Sequence, residues 1–388
     1  MTYKNVTISA HNMMITAQKD TKLVDWGGNE FKAGLQALIE ACLSEANLSS
    51  KGRYWLYHQC VHNLSNRLHI QQTLKEHPEI LEVKIERPLF LVTLPRSGST
   101  FLHNLLTANS SIRAPSVWEM WKPCPPPTTA TYQIDKRIEQ ANRTYCIPRN
   151  NWLPDNTAGK NLFPLAGEIE ECFMLLKNSF ASFDYTFEYA IPSYQNWLAQ
   201  QDLRPVYRYF KKQLQLLQWQ TSGSPWILKC ADHIVDIPAL LEVFPDASII
   251  HLHRHPFKMI PSLCYLQKDF INLWRDEPID PFELGELCQC RYDLMINRTM
   301  SHLKQRKNPK QFHDLYYNDL VANPLAMVIK IFRHFDYPLT EKTVTEMQTF
   351  LNRTKKPKNP YRLSTYGLEK ARIIERYAPY IHQYKLKL

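Results

Sequence analysis

Residues 88–106, Pro-Leu-Phe-Leu-Val-Thr-Leu-Pro-Arg-Ser-Gly-Ser-Thr-Phe-Leu-His-Asn-Leu-Leu, constrain the fold more than any other stretch of the chain. The almost wholly apolar run from Leu89 to Leu94 has the pattern of a strand buried on both faces, and Phe101, Leu102, Leu105 and Leu106 then fall at helical spacing. Between them lies Pro95-Arg96-Ser97-Gly98-Ser99-Thr100. A strand, a tight polar loop and a helix N-terminus together aim unpaired backbone N–H groups and the positive helix end at one point. Arg96, Ser97, Ser99 and Thr100 add side-chain donors, so the predicted occupant is a phosphate or sulfate.

The loop departs from the Walker A pattern G-x-x-x-x-G-K-[ST]. Gly98 is followed by Ser99, the first glycine is missing, and the nearest cation, Arg96, lies upstream. These departures weigh against a nucleoside triphosphate held with magnesium. An ordinary Ser-rich turn is the plain alternative, and only the rest of the chain separates the two.

The 388 residues, 44% of them apolar, suffice for one large α/β domain with insertions. No run of 18 apolar residues occurs, and Met1 to Lys22 lacks a basic-then-apolar leader pattern, so no transmembrane segment and no export are expected. The nine cysteines are scattered, and Cys288-Gln289-Cys290 is neither a C-x-x-C pair nor part of a zinc-like cluster, which predicts a reducing, cytoplasmic setting. Of the +10 net charge, +8 falls between Asn352 and Leu388. That asymmetry suits an anionic partner such as nucleic acid, membrane headgroups or a polyanionic nucleotide; a solvated tail is the competing account.

In chain order, residues 1–27 show no firm periodicity, while Phe31, Leu35, Leu38, Ile39 and Cys42 predict one helix and Arg53 to Leu74 a second. Tyr54, Trp55 and Tyr57 are expected in the core. Residues 1–84 are thus an irregular start and helical extension, and residues 85–388 the main domain. The prolines at 123 and 125–127 preclude regular helix. Glu168, Glu170 and Glu171 precede an apolar helical run and either complement a helix dipole or face a substrate. Arg208 to Gln220 predicts an amphipathic helix, and Ser222-Gly223-Ser224 a turn.

Two further apolar strands end in cations. Trp226-Ile227-Leu228 runs into Lys229, with His233 four residues beyond, and Ala247 to His253 runs into Arg254, followed by a helix opening at Pro256 and carrying Ser262. Gln311 to Tyr317 supplies a fourth strand. Arg96, Lys229 and Arg254 therefore all sit at carboxyl ends of strands, which converge on one edge of a parallel sheet, where ligands bind. The fold class predicted is α/β: a P-loop-like three-layer domain, its central parallel sheet flanked by helices, with the helical N-terminal extension.

Four blocks, taken in order, resemble the sulfotransferase superfamily, and within it the bacterial-type branch. Residues 95–100 are similar to its P-[KR]-[ST]-G-[ST]-[ST] loop, and Arg254 with Ser262 resembles its 3′-phosphate pair. Tyr317-Asn318-Asp319-Leu320-Val321-Ala322-Asn323-Pro324 resembles the Y-x-D-[LM]-x-x-[DN]-P block, whose tyrosine lies near adenine, and Tyr361 to Leu368 resembles a closing Y-S-L-x-x-F-G-L segment. Trp118-Glu119, Glu170-Glu171-Cys172-Phe173 and Lys229…His233 agree with that branch. Departures are His255 after the arginine, Cys230-Ala231-Asp232 in place of Ser-Pro-x, and Ser364 where an acid is common.

The resemblance implies that 3′-phosphoadenosine-5′-phosphosulfate is the co-substrate and that its sulfuryl group moves to a hydroxyl, less favourably an amine, of a small-molecule, glycan or lipid acceptor. On that reading Arg96, Ser97, Gly98, Ser99 and Thr100 bind the 5′-phosphosulfate, Arg254 and Ser262 the 3′-phosphate, and Tyr317 and Arg362 the rest of the nucleotide. Lys355, Lys356 and Lys358 join Arg362 in a basic cap. Arg96 and Lys229 stabilise the transferring group and His233 serves as base, with Glu168, Glu170 or Glu171 as alternatives. The sequence shows no ligand cluster, so no metal is expected, and no nucleic-acid partner. The rival readings are a P-loop kinase or nucleotidase, and a non-catalytic anion- or nucleic-acid-binding protein that uses the basic C-terminus.

Overall fold

Four parallel strands in the order β2-β1-β3-β4 carry the candidate site: β1 (Leu89–Leu91), β2 (Ile227–Lys229), β3 (Ser248–His253) and β4 (Phe312–Tyr316). They belong to a computed structural model that describes residues 7–109, 111–155, 157, 164–221, 225–303, 308–353 and 361–387. The predicted turn at 222–224 and the lysines at 355, 356 and 358 lie outside the described residues. The chain forms two compact units, one comprising Met1–Ile85, Pro115–Ser222 and Leu266–Ile279, the other Glu86–Ala114, Gly223–Tyr265 and Asp280–Leu388.

The first unit is built of helices. In chain order these begin with α1 (Ala10–Thr21), α2 (Phe31–Ser44) and α3 (Ser50–Glu76). Ser9 and Ser49 cap α1 and α3 by accepting the N–H groups of Asn12 and Gly52, each at 3.1 Å. The predicted stripe Phe31, Leu35, Leu38, Ile39 and Cys42 is buried on α2. Trp55 is buried as expected and stacks on Trp274 with ring centroids 5.3 Å apart, whereas Tyr54 and Tyr57 are half-buried. The proline-rich stretch after Trp121 is non-helical, and the amphipathic helix spans Arg204–Gln218. Glu168, Glu170 and Glu171 lie before the helix Phe173–Lys177 rather than in its first turn. Glu168 caps a local turn by accepting the Leu165 N–H at 2.7 Å.

The second unit holds the sheet. β1 pairs with β2 and β3, and β3 with β4, all in parallel, so each needs a crossover. The 3-residue strands β1 and β2 are buried throughout, as their continuous apolar runs require. Alternate residues Leu89, Leu91, Ile250, Leu252 and Leu315 face one side of the sheet and pack with Leu102, Leu105 and Leu106 of α4 (Ser99–Thr107) and with Val328, Ile331 and Phe332. The sheet therefore fixes α4 with its N-terminus at the carboxyl end of β1.

Candidate active site

The loop after β1 turns twice through left-handed backbone, at Arg96 (φ 63°) and at Gly98 (φ 101°). Glycine is required at the second turn. A Cβ there would lie 2.9 Å from Cδ2 of Tyr317, closer than side chains approach. The Pro95 carbonyl accepts from the Tyr292 hydroxyl at 2.5 Å and the Arg96 carbonyl from Arg254 Nη1 at 2.9 Å. With those acceptors occupied, the loop presents donors: the first N–H groups of α4, whose first intrahelical bond runs from Leu102 N–H to the Gly98 carbonyl at 3.2 Å. Ser97 is fully buried, and its Oγ has no hydrogen-bond partner among the described residues. A buried hydroxyl left unsatisfied in a donor-rich turn fits a bound anion.

The three strand-end cations surround this loop. Lys229, the last residue of β2 and only 3% exposed, donates from Nζ to Thr100 Oγ1 at 3.0 Å. Arg96 Nε donates to Ser262 Oγ at 3.1 Å. The Arg254 guanidinium lies 3.9 Å from the centroid of the Tyr317 ring. Ser262, expected beside Arg254, is thus bonded to Arg96, and Arg254 spans the loop carbonyl and the tyrosine face. These contacts set both guanidinium groups beside the loop.

His233 lies in the single turn Ala231–Ile234 after β2, fully buried, with its ring perpendicular to that of Phe90 and the centroids 5.0 Å apart. Arg362 is exposed and precedes the turn Leu363–Tyr366, and the neighbouring Tyr361 hydroxyl donates to the Lys258 carbonyl at 3.4 Å.

The sequence did not single out His103. It follows Thr100 by one turn of α4, is 2% exposed, and its Nε2 has no partner among the described residues. Burial, reinforced by the Lys229 ammonium, pushes its pKa down to about 3, so the imidazole is neutral at physiological pH. Its position three residues after Thr100, on the side of the loop helix that meets β2, was the available signal.

The description "Sulfotransferase family" belongs to a family model that matches residues 88–341, the span holding the loop, all three cations and Ser262. The chain belongs to the sulfotransferase family. Among similar sulfotransferases, the omega-hydroxy-beta-dihydromenaquinone-9 sulfotransferase Stf3 of Mycobacterium bovis is 23% identical over 319 residues, covering 80% of this chain and 78% of its own length. The crystal structure of sulfotransferase STF9 from Mycobacterium avium superposes with TM-score 0.89 at 27% identity, covering 100% of this chain and 99% of that one. Sulfotransferase STF1 from Mycobacterium tuberculosis gives TM-score 0.85 at 28% identity, covering 96% and 99%. These matches establish the bacterial-type sulfotransferase and its P-loop-like α/β fold.

Proposed function

We propose that this sulfotransferase moves the sulfuryl group of 3′-phosphoadenosine-5′-phosphosulfate to an acceptor hydroxyl, and less favourably to an amine. The observation that carries the reading is the gathering of Arg96, Lys229 and Arg254 around a loop whose buried Ser97 Oγ awaits a partner. The co-substrate supplies an activated sulfuryl group when bound. The loop N–H groups, Ser97, Ser99 and Thr100 bind its 5′ end, and Arg96 exchanges Ser262 for sulfuryl or phosphate oxygens. Arg254 presents a fork to the 3′-phosphate, with Ser262 as a neutral donor. Tyr317 and Arg362 flank the nucleoside.

Transfer is an in-line displacement. The acceptor oxygen forms a bond to sulfur, the bond from sulfur to the bridging phosphate oxygen breaks, and the acceptor proton passes to a base. Lys229, held by Thr100, is aimed at the charge that grows on the leaving oxygen. The base is His233. It lies four residues beyond Lys229, in the turn that follows β2; Glu168, Glu170 and Glu171 are the alternatives. The acceptor is an alcohol on an apolar small molecule or lipid, a class consistent with the menaquinone in the name of Stf3. No described helix is long and apolar enough to cross a membrane. All nine cysteines are free thiols, as they are in a protein of a reducing, cytoplasmic setting.

A thermal-shift panel with 3′-phosphoadenosine-5′-phosphate, ATP with magnesium, and AMP tests the donor. Stabilisation by the bisphosphate, lost in Arg96→Ala and Arg254→Ala, is expected. A response confined to ATP with magnesium overturns the proposal in favour of a kinase. For the base, His233→Ala should abolish turnover and leave bisphosphate binding intact; retained turnover transfers the role to a glutamate.

A further inference from the structure

Two histidines of β3 and a carboxylate of β4 meet on the sheet face opposite the apolar cluster of Ile250, Leu252 and Leu315. His251 and His253 stand two residues apart and so share a face, and the parallel register sets His251 beside Asp314. His253 Nε2 lies 3.0 Å and His251 Nδ1 3.9 Å from the same Asp314 Oδ1. One donor atom from each of the three residues falls within 4.8 Å of the other two. The imidazoles are 0–2% exposed, while the Asp314 side chain is 30% exposed and leaves a route in from solvent.

We propose that His251, His253 and Asp314 bind a divalent transition-metal ion, zinc by preference. Two imidazoles and one carboxylate are a borderline-soft set, and three protein ligands leave a fourth position for water. Tetrahedral zinc, with bonds of about 2.0–2.1 Å, sets its donors roughly 3.3 Å apart. The separations from Asp314 Oδ1, 3.0 and 3.9 Å, lie on either side of that spacing, and with all three donors within 4.8 Å of one another the side chains need to close by no more than rotamer adjustment to meet on the ion.

The surroundings have the form of an outer ligand shell. His253 Nδ1 lies 2.9 Å from the Tyr380 hydroxyl, and the Tyr384 ring stacks on the same imidazole at 3.5 Å, which fixes the ring's orientation. Tyr380 belongs to the helix Ala378–Gln383, so the ion would clamp β3, β4 and the C-terminal helix together directly behind Arg254. Its role is structural and is independent of the donor and acceptor proposed above.

The full-length protein, stripped with a chelator and shown by circular dichroism to be folded, is titrated calorimetrically with Zn²⁺ and spectroscopically with Co²⁺. One ion per chain is expected, with a zinc-loaded Tm a few degrees above the stripped value. His251→Ala and Asp314→Asn should weaken binding by about 100-fold or more, whereas Cys290→Ser and His11→Ala, at exposed potential ligands, should not change it. Should the ligand variants misfold, X-ray absorption at the cobalt edge of the wild type gives an independent reading: nitrogen and oxygen donors, with imidazole scattering and no sulfur. Absence of saturable binding at one ion per chain, sulfur ligation, or unchanged affinity in folded ligand variants overturns the proposal.

Discussion

Lys229 reaches from the end of β2 to the Thr100 hydroxyl in the first turn of α4, at 3.0 Å, and so joins two elements separated by 129 residues. The lysine is 3% exposed, and its bond to Thr100 fixes the ammonium beside the first turn of the loop helix, where a bound anion would meet it. Lys229→Met keeps the volume and removes the charge. It should lower kcat by roughly 10²–10³, a loss typical of one electrostatic stabiliser, while bisphosphate affinity falls much less and Tm holds or rises. Single-turnover kinetics beside a thermal melt separate these outcomes; an unchanged kcat would remove Lys229 from the reaction.

The Arg96–Ser262 bond predicts a binding effect without a charge effect. Ser262→Ala removes one neutral donor, worth about 1 kcal/mol, so bisphosphate Kd should rise roughly fivefold. Its dependence on salt should match the wild type, because no cation is lost. Arg254→Ala, by contrast, should flatten the salt dependence. Calorimetry at two ionic strengths distinguishes the pair.

Gly98 tests the loop geometry itself. Alanine there must adopt φ 101° with its Cβ 2.9 Å from the Tyr317 ring, or move the loop. The cost should be about 1–3 kcal/mol of stability, read by urea unfolding, together with loss of bisphosphate binding. Tyr317→Ala in the same chain should restore part of the stability by clearing the space, leaving only the backbone penalty.

Much of this site was legible because its signals are local. An apolar run followed by a cation marks β1, β2 and β3, and the strands occupy Leu89–Leu91, Ile227–Lys229 and Ser248–His253 within the spans expected. β4 and the helix Tyr317–Ala322 split the fourth expected strand at Tyr316, where the Tyr-x-Asp segment begins to coil. Partnerships over long separation left no local trace. Arg96 and Ser262 are 166 residues apart, and a lone serine in a helix gives no hint which arginine it serves. His251, His253 and Asp314 escape metal-spacing patterns because strand register, not sequence spacing, brings them together. The grouping of residues 115–222 and 266–279 with the N-terminal helices rests on aromatic packing such as Trp55 on Trp274, for which composition carries no address.

His103 predicts an acid limb of stability. Its folded pKa, about 3, lies below the unfolded value near 6.5, so between those values the unfolded chain binds the extra proton. Stability is therefore complete above about pH 6.5 and declines as pH falls towards 3. In a His103→Gln variant that slope should shrink, seen as a smaller Tm loss between pH 7 and pH 5; an identical slope would exclude His103 as its source.

In the first unit a buried charge network makes the strongest stability prediction. Glu188, 1% exposed, accepts from Lys177 Nζ at 3.0 Å, from Arg149 Nη2 at 2.9 Å and from Gln59 Nε2 at 3.1 Å, while Lys177 also meets Asp184 at 2.5 Å. Burial alone would raise the Glu188 pKa, but the Lys177 and Arg149 charges outweigh it and hold the carboxyl at about 2. Because that value lies below the unfolded one near 4.3, the group stabilises the fold above pH 4.3 and loses that contribution as pH falls towards 2. Glu188→Gln keeps the shape yet leaves two buried cations facing one carboxylate, at a cost of about 3–5 kcal/mol. Glu188→Gln combined with Arg149→Met restores the one-to-one balance with Asp184 and should recover a large part of it. Urea unfolding of the single and double variants measures the coupling, and strict additivity of the two losses would mean that the network acts only as separate pairs.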